Sequence, residues 1–174
     1  MHKTPYVLIA GLVATGAAAG GATAADLTVS VEIPRLSVAE YHAPYVAIWV
    51  EKPDGAGAAT LAVWYDATAR EDGGRKWLAD VRTWWRRAGR SMRFPADGIS
   101  SATRAPGRQT QRFAGNHRAL RGLAPGQYVL VVEAARELGG REAVRIPFRW
   151  GAGAQSGRAA GTTELRAVTL NVSR

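Results

Sequence analysis

The run of residues 123–137 constrains the fold of this chain more than any other stretch. It reads LAPGQYVLVVEAARE, and a turn signal at Pro125-Gly126 precedes its long strand-like part. The pair Gly139-Gly140 comes shortly after it and precedes a second strand-like run, REAVRIPFRW, at 141–150. Gly and Pro pairs mark turns, and β-branched and aromatic residues favour strands. The sequence therefore predicts an antiparallel β-hairpin here.

Other segments have the same alternating or apolar character and end at turn residues. They are 27–34, 44–55, 59–66, 108–115 and 163–172. The segments 44–55 and 59–66 are close enough to form another hairpin, and both faces of these strands are expected to be partly covered. The Gly- and Ala-rich stretch 151–161 is expected to be a flexible loop.

Residues 76–89 (KWLADVRTWWRRAG) have a different period. Trp77, Val81, Trp84 and Trp85 are spaced i, i+4, i+7 and i+8, which places them on one face of a helix. About seven strands and this one inserted helix predict an all-β fold, an immunoglobulin-like β-sandwich. A small barrel is the alternative.

The N-terminus has the features of a secretory signal peptide. A short basic start (MHK) precedes an apolar run at 6–21 and the small residues Ala22-Thr23-Ala24. We expect residues 1–24 to be the signal peptide and 25–174 a single periplasmic domain. The alternative is a retained membrane anchor, but the run is Gly- and Ala-rich for a spanning helix. The chain has no cysteine, which excludes disulfides and thiol catalysis.

The net charge is +9, and 20 of the 23 basic residues are arginine. Such a charge is compatible with nucleic acid or an anionic surface, but an exported protein rarely meets nucleic acid. We expect no nucleic-acid partner and at most a peripheral contact with the membrane. His42 and His117 are isolated, and the sequence lacks both metal-ligand spacing and a G-x-S-x-G motif. We therefore predict no catalytic and no metal-binding residues.

The stretch DGISSAT, residues 97–103, resembles the pattern recognised by bacterial periplasmic flavin transferases. These enzymes join the phosphate of FMN to a Thr or Ser hydroxyl. Asp97, Ser100, Ala102 and Thr103 match the pattern, whereas Ser101 stands where glycine is usual. The resemblance implies a covalent FMN on Thr103 and a flavin transferase as partner. An ordinary Ser/Thr-rich turn is the alternative.

A second resemblance covers nearly the whole mature chain, including "PYVAIWVEKPDG", "KWLADVRTWWRRAG" and "GQYVLVVEAARELGGRE". The chain is similar to a family of predicted periplasmic proteins of unknown function. That family is associated with flavin transferases and with PepSY-type membrane redox proteins. The resemblance implies an exported electron-transfer domain that carries FMN and has no substrate chemistry of its own. Trp84 or Trp85 would stack on the isoalloxazine ring, and a nearby arginine such as Arg104 would neutralise the phosphate.

Two other functions remain open. One is an immunoglobulin-like binding module without a cofactor, which would use exposed Trp and Arg residues. The other is an enzyme whose site the sequence does not reveal.

Overall fold

The computed structural model describes residues 25–57, 59–70 and 73–173, and this part of the chain contains nine β-strands. The predicted signal peptide, residues 1–24, lies outside the described residues. The strands are β1 (Leu27–Ile33), β2 (Tyr45–Glu51), β3 (Ala59–Trp64), β4 (Ser100–Ser101), β5 (Gly107–Phe113), β6 (Gly126–Ala135), β7 (Arg141–Trp150), β8 (Gln155–Ala160) and β9 (Ala167–Val172).

The strands form two sheets. The first sheet has the order β5-β1-β9-β8 and the second the order β4-β3-β2-β6-β7. All neighbouring strands are antiparallel except the β3–β4 pair, which is parallel. The two predicted hairpins are present as β2–β3 and β6–β7. The all-β sandwich expected from the sequence is therefore confirmed, with nine strands where about seven were predicted.

The main apolar core lies between the two sheets. Strand β1 alternates buried and half-buried residues along its length, as expected for a strand with one face in a core. Val29 and Val31 from β1 pack in the same cluster as Ile48 from β2 and Leu130 from β6. Both sheets thus contribute one apolar face to a shared core.

A second apolar cluster covers the opposite face of the second sheet. Trp49 on β2 and Val131 on β6 pack there against Leu78, Val81 and Trp84. These three residues belong to the helical segment, residues 73–91, which lies between β3 and β4 in the chain. Strands β2 and β6 are therefore buried on both faces, which explains their nearly continuous apolar sequences.

The segment predicted as one helix over 76–89 is divided into short turns. Helix α1 is Gly73–Lys76 and helix α2 is Arg82–Arg87, and 3-10 turns occupy Trp77–Asp80 and Gly89–Ser91. The break falls at Val81, whose backbone angles (φ −77°, ψ 66°) are not helical. The single continuous helix predicted from the sequence is thus wrong.

The break is stabilised by a residue that is distant in sequence. The buried Glu133 on β6 accepts hydrogen bonds from the backbone N–H groups of Thr83 (3.1 Å) and Trp84 (2.9 Å). The carboxylate satisfies two N–H groups at the start of α2 that would otherwise lack partners. Local periodicity cannot reveal a cap that comes from another strand.

The stretch 151–161 is not a flexible loop throughout, and that prediction is wrong for most of it. Residues Gln155–Ala160 form β8, which pairs with β9 at the edge of the first sheet. The sequence QSGRAA has no β-branched residue, so its propensity for a strand is low. Pairing with β9 overrides that propensity.

Candidate functional site

The middle of the DGISSAT stretch is tied to the edge of the second sheet. The N–H of Val63 donates to the Ile99 carbonyl (2.9 Å), and the N–H of Tyr65 donates to the Ser101 carbonyl (3.0 Å). The Ile99 side chain is buried in the cluster beneath the helical segment. These contacts fix residues 99–101 in place, and Ser100–Ser101 form the short strand β4.

The first part of the stretch is a turn that is stabilised by its own serine. The hydroxyl of Ser100 accepts a hydrogen bond from the N–H of Ala96 (2.9 Å), and the N–H of Ser100 donates to the Ala96 carbonyl (2.8 Å). Gly98 has φ +69° within this turn, a conformation that favours glycine. Asp97 and Gly98 are exposed, so Asp97 is accessible to a partner.

The chain leaves regular structure immediately after β4. Ala102 is exposed, and Thr103 is half-buried. Thr103 lines an open cleft of about 440 Å³. Such a volume is within the range of ordinary small-molecule sites.

The cleft is formed by elements that are far apart in sequence. The other residues that line it are Tyr41, His42, Ala43, Tyr45, Asp66, Ala69, Gly73, Gly74, Lys76, Trp77, Asp80, Ala135 and Glu137. They belong to the segment before β2, the start of β2, the connection from β3 to α1, the helical segment, and the end of β6. The fold thus brings these five parts of the chain to the side of Thr103.

Three aromatic side chains, those of Tyr41, Tyr45 and Trp77, line the cleft. Trp77 is 37% exposed and Tyr41 is 38% exposed, whereas Trp49 and Trp84 have no exposed surface. Burial raises the pKa of the Tyr45 phenol, and a hydrogen bond with the Asp66 backbone opposes the rise. The Tyr45 phenol therefore remains protonated at neutral pH. The cleft offers flat ring surfaces together with a phenolic hydroxyl.

The cleft is lined by more acidic than basic side chains, although the chain as a whole has a net charge of +9. Three carboxylates, those of Asp66, Asp80 and Glu137, line it together with the cation of Lys76. The Nζ atom of Lys76 lies 4.9 Å from the centroid of the Trp77 ring, a cation–π distance. A ligand that reaches Trp77 thus meets a positive charge and an aromatic ring together.

The floor of the cleft is closely packed. Gly74 is buried, and a Cβ at this position would lie 1.8 Å from the Asp66 carbonyl oxygen and 3.2 Å from the Tyr45 hydroxyl. Only a residue without a side chain lets α1 approach the β3–α1 connection this closely. The glycine therefore permits the close packing of this part of the cleft.

The two tryptophans predicted to stack on a ligand do not line this cleft. Trp84 is fully buried and its indole N–H donates to the Thr60 hydroxyl (3.0 Å), so it has no free face for a ligand. Trp85 is half-buried and packs against the same cluster, with its ring centroid 6.2 Å from that of Trp84. Both residues attach the helical segment to the second sheet.

Arg104 lies next to Thr103 in sequence and is half-buried. Its guanidinium carbon lies 5.5 Å from the centroid of the Trp64 ring, and its Nη2 atom lies 3.4 Å from the Ser101 hydroxyl. The side chain is therefore directed to the side of the DGISSAT stretch. It does not line the cleft.

The sequence did not show which tryptophan is exposed, because Trp77, Trp84 and Trp85 share one predicted helical stripe. Such a stripe usually packs against a core. The break at Val81 removes Trp77 from the stripe and leaves it in a 3-10 turn beside the cleft. Tyr41 lies in an irregular segment that carries no periodic signal.

The fold and the site define a β-sandwich with a helical layer and an aromatic cleft. None of the helices in the described part of the chain is both long and apolar enough to cross a membrane. The chain belongs to the family described as "Predicted periplasmic protein (DUF2271)", whose model matches residues 26–167. The protein is accordingly periplasmic, as its N-terminal sequence predicted. No curated protein and no solved structure matches the chain.

Proposed function

We propose that this protein is a periplasmic electron carrier that holds FMN covalently on Thr103. A partner flavin transferase would attach the flavin, and a PepSY-type membrane protein would exchange electrons with it. The proposal rests on the resemblance of residues 97–103 to the attachment pattern and on the position of Thr103. The observation that carries it is that Thr103 lies at the wall of an aromatic cleft.

The residues around Thr103 fit an attachment site. Its hydroxyl belongs to a half-buried side chain outside the two apolar clusters, and the flanking Ala102 is small and exposed. Asp97 at the other end of the pattern is also exposed. The β4 pairing between these ends is only two residues long and lies at a sheet edge. A short edge pairing opens locally at low cost, which would let a transferase reach the hydroxyl.

FAD would be the donor of the FMN group in the attachment step. The Thr103 oxygen forms a bond to the phosphorus of the FMN half, and the bond from that phosphorus to the bridging pyrophosphate oxygen breaks. AMP is the leaving group, and the threonine proton is released. The transferase would supply the catalysis, so the residues needed here are an accessible hydroxyl and its recognition pattern.

Covalent attachment suits a protein outside the cytoplasm, because a tethered cofactor cannot diffuse away. FMN supplies one- and two-electron transfer when it is bound. The protein's own residues would hold the flavin near the cleft and present it to redox partners. They would perform no substrate chemistry.

The test is the intact mass of the mature protein after coexpression with a periplasmic flavin transferase. We expect the wild type to gain the mass of one FMN less one water and to fluoresce in a denaturing gel. Thr103→Ala should gain nothing, whereas Thr103→Ser keeps a hydroxyl and should still be modified. Thr110→Ala, in β5, is the control for loss of a threonine elsewhere.

The variant Ser101→Gly provides a second readout. It restores the residue that is usual in the pattern, so we expect faster modification than in the wild type. An unmodified wild type in the presence of an active transferase would refute the proposal. In that case the cofactor-free binding module becomes the working interpretation.

A further inference from the structure

We propose that the cleft beside Thr103 is the binding site for the isoalloxazine ring, and that Trp77 is the aromatic surface against which the ring lies. This inference rests on the proposed attachment of FMN to Thr103. It adds that the flavin folds back onto the protein and does not move freely in solvent. It also replaces Trp84 and Trp85 as the stacking residues.

The first argument is the unusual exposure of Trp77. An exposed large aromatic side chain leaves apolar area in contact with water that burial would remove. Trp77 is 37% exposed, and Tyr41, which also lines the cleft, is 38% exposed. Two partly exposed rings in one concave site are what a planar aromatic ligand requires.

The second argument is continuity between the attachment residue and the cleft. Thr103 itself lines the cavity that contains Trp77. A tether to Thr103 holds the ring near the site at a high effective concentration, so a weak stacking contact is sufficient to keep it bound. The close packing at Gly74 and Asp66 holds this part of the lining in place before the ligand arrives.

The third argument is the charge of the site. The oxidised isoalloxazine ring is uncharged, so three carboxylates do not exclude it from the cleft. These three carboxylates outnumber the cation of Lys76 beside Trp77, so the lining as a whole opposes added negative charge on the ring, since like charges repel at short range. We therefore expect the cleft to lower the reduction potential of the flavin. Replacing Glu137, whose side chain is 41% exposed, with glutamine should raise the potential.

The experiment measures flavin fluorescence per mole of attached flavin in the folded protein. An indole in contact with an excited flavin quenches it by electron donation. We expect the folded wild type to be strongly quenched and to brighten when urea unfolds it. Trp77→Leu should be several-fold brighter in the folded state, because loss of a stacking contact lowers the equilibrium constant for ring binding by up to about tenfold.

Trp85→Leu is the matched control. Trp85 lies in the same helical segment and is half-buried, but it does not line the cleft. This variant should remain as quenched as the wild type, and circular dichroism checks that both variants are folded. Intact mass should show the same amount of attached flavin in the wild type, Trp77→Leu and Trp85→Leu. A difference in fluorescence then reports where the ring lies and not how much flavin is attached.

The outcomes distinguish the two proposals. Attached flavin that is as bright as free FMN, or that is quenched equally in Trp77→Leu and the wild type, overturns this inference and leaves the attachment intact. Absence of attached flavin by mass overturns both.

Discussion

The carboxylate of Glu142 provides the sharpest test of how this fold is stabilised. Glu142 lies on β7, and its side chain reaches the loop between β8 and β9. It accepts hydrogen bonds from four consecutive backbone N–H groups, those of Thr162 (2.7 Å) and of Thr163, Glu164 and Leu165 (3.0 Å each). A single ionised side chain thus organises the loop that leads into β9.

The size of this contribution follows from the pKa of Glu142. Burial raises this pKa, but the donors of Thr162, Leu165 and Thr163 outweigh burial and lower it from 4.5 to about 2. At 1.36 kcal/mol for each pH unit, the fall corresponds to at most about 3.4 kcal/mol. Solvent screening at this partly exposed site reduces the figure to about 2 kcal/mol.

The sign of the pH dependence is set by the lowered pKa. The folded protein binds the proton on Glu142 more weakly than the unfolded chain does. The stabilisation is therefore complete above pH 4.5 and is lost as the pH falls toward about 2.

The perturbation is Glu142→Gln, which keeps the shape of the side chain and removes its charge. At pH 7 we expect the free energy of unfolding, measured by urea denaturation, to fall by about 2 kcal/mol, and the melting temperature to fall by roughly 4–8 °C. The difference from the wild type should shrink as the pH falls from 4.5 to 2.5.

The control is Glu32→Gln on β1. The Glu32 side chain is 38% exposed and its carboxylate lies 3.8 Å from Arg108. An exposed pair of this kind contributes about 0.5 kcal/mol or less. The free energy of unfolding of this variant should therefore match that of the wild type both at pH 7 and at pH 2.5. Equal stability of Glu142→Gln and the wild type at pH 7, or a difference that does not change at acid pH, would refute the reasoning.

Three further predictions follow from named contacts. Glu133→Ala should lower the free energy of unfolding in urea by about 2–3 kcal/mol, because it leaves the Thr83 and Trp84 N–H groups without their partner, whereas Arg141 (2.7 Å from Glu133) is 40% exposed and stays solvated; a loss below about 1 kcal/mol would contradict this role. Gly74→Ala should cost about 1–3 kcal/mol, because its Cβ would overlap the carbonyl of Asp66. Gly73→Ala, whose Cβ would make an ordinary contact at 3.6 Å, is its control in the same denaturation assay and should be nearly neutral. Trp77→Leu should change the melting temperature little, since Trp77 is partly exposed; a large loss would mean that it is a core residue.

The sequence predicted the parts of the fold that local patterns specify. The turn residues and apolar runs around 126–150 correctly predicted the β6–β7 hairpin, and alternation in 27–33 correctly predicted β1. What it could not predict depends on distant partners. Strand β8 forms because β9 pairs with it, and the helix breaks at Val81 where Glu133 caps the next turn.

In the candidate site, too, some features could be predicted from the local sequence and others depend on the tertiary fold. The pattern at 97–103 could be recognised locally, and Thr103 does lie beside a cleft. The aromatic surface of that cleft could not be recognised, because Tyr41 and Trp77 are brought together only by the tertiary fold. Trp84 and Trp85 lie on the predicted helical stripe, and the packing of that stripe against the second sheet buries Trp84 completely and Trp85 in part.

The most direct test of the proposed function is to locate the flavin on the chain. Arg93 and Arg104 bracket the pattern, so trypsin should release a peptide, residues 94–104, whose only hydroxyl side chains are Ser100, Ser101 and Thr103. Fragmentation of this peptide by tandem mass spectrometry, after coexpression with the transferase, assigns the modified residue. We predict that Thr103 carries FMN and that both serines are unmodified. An unmodified peptide, or flavin found on any other residue, would contradict the central claim.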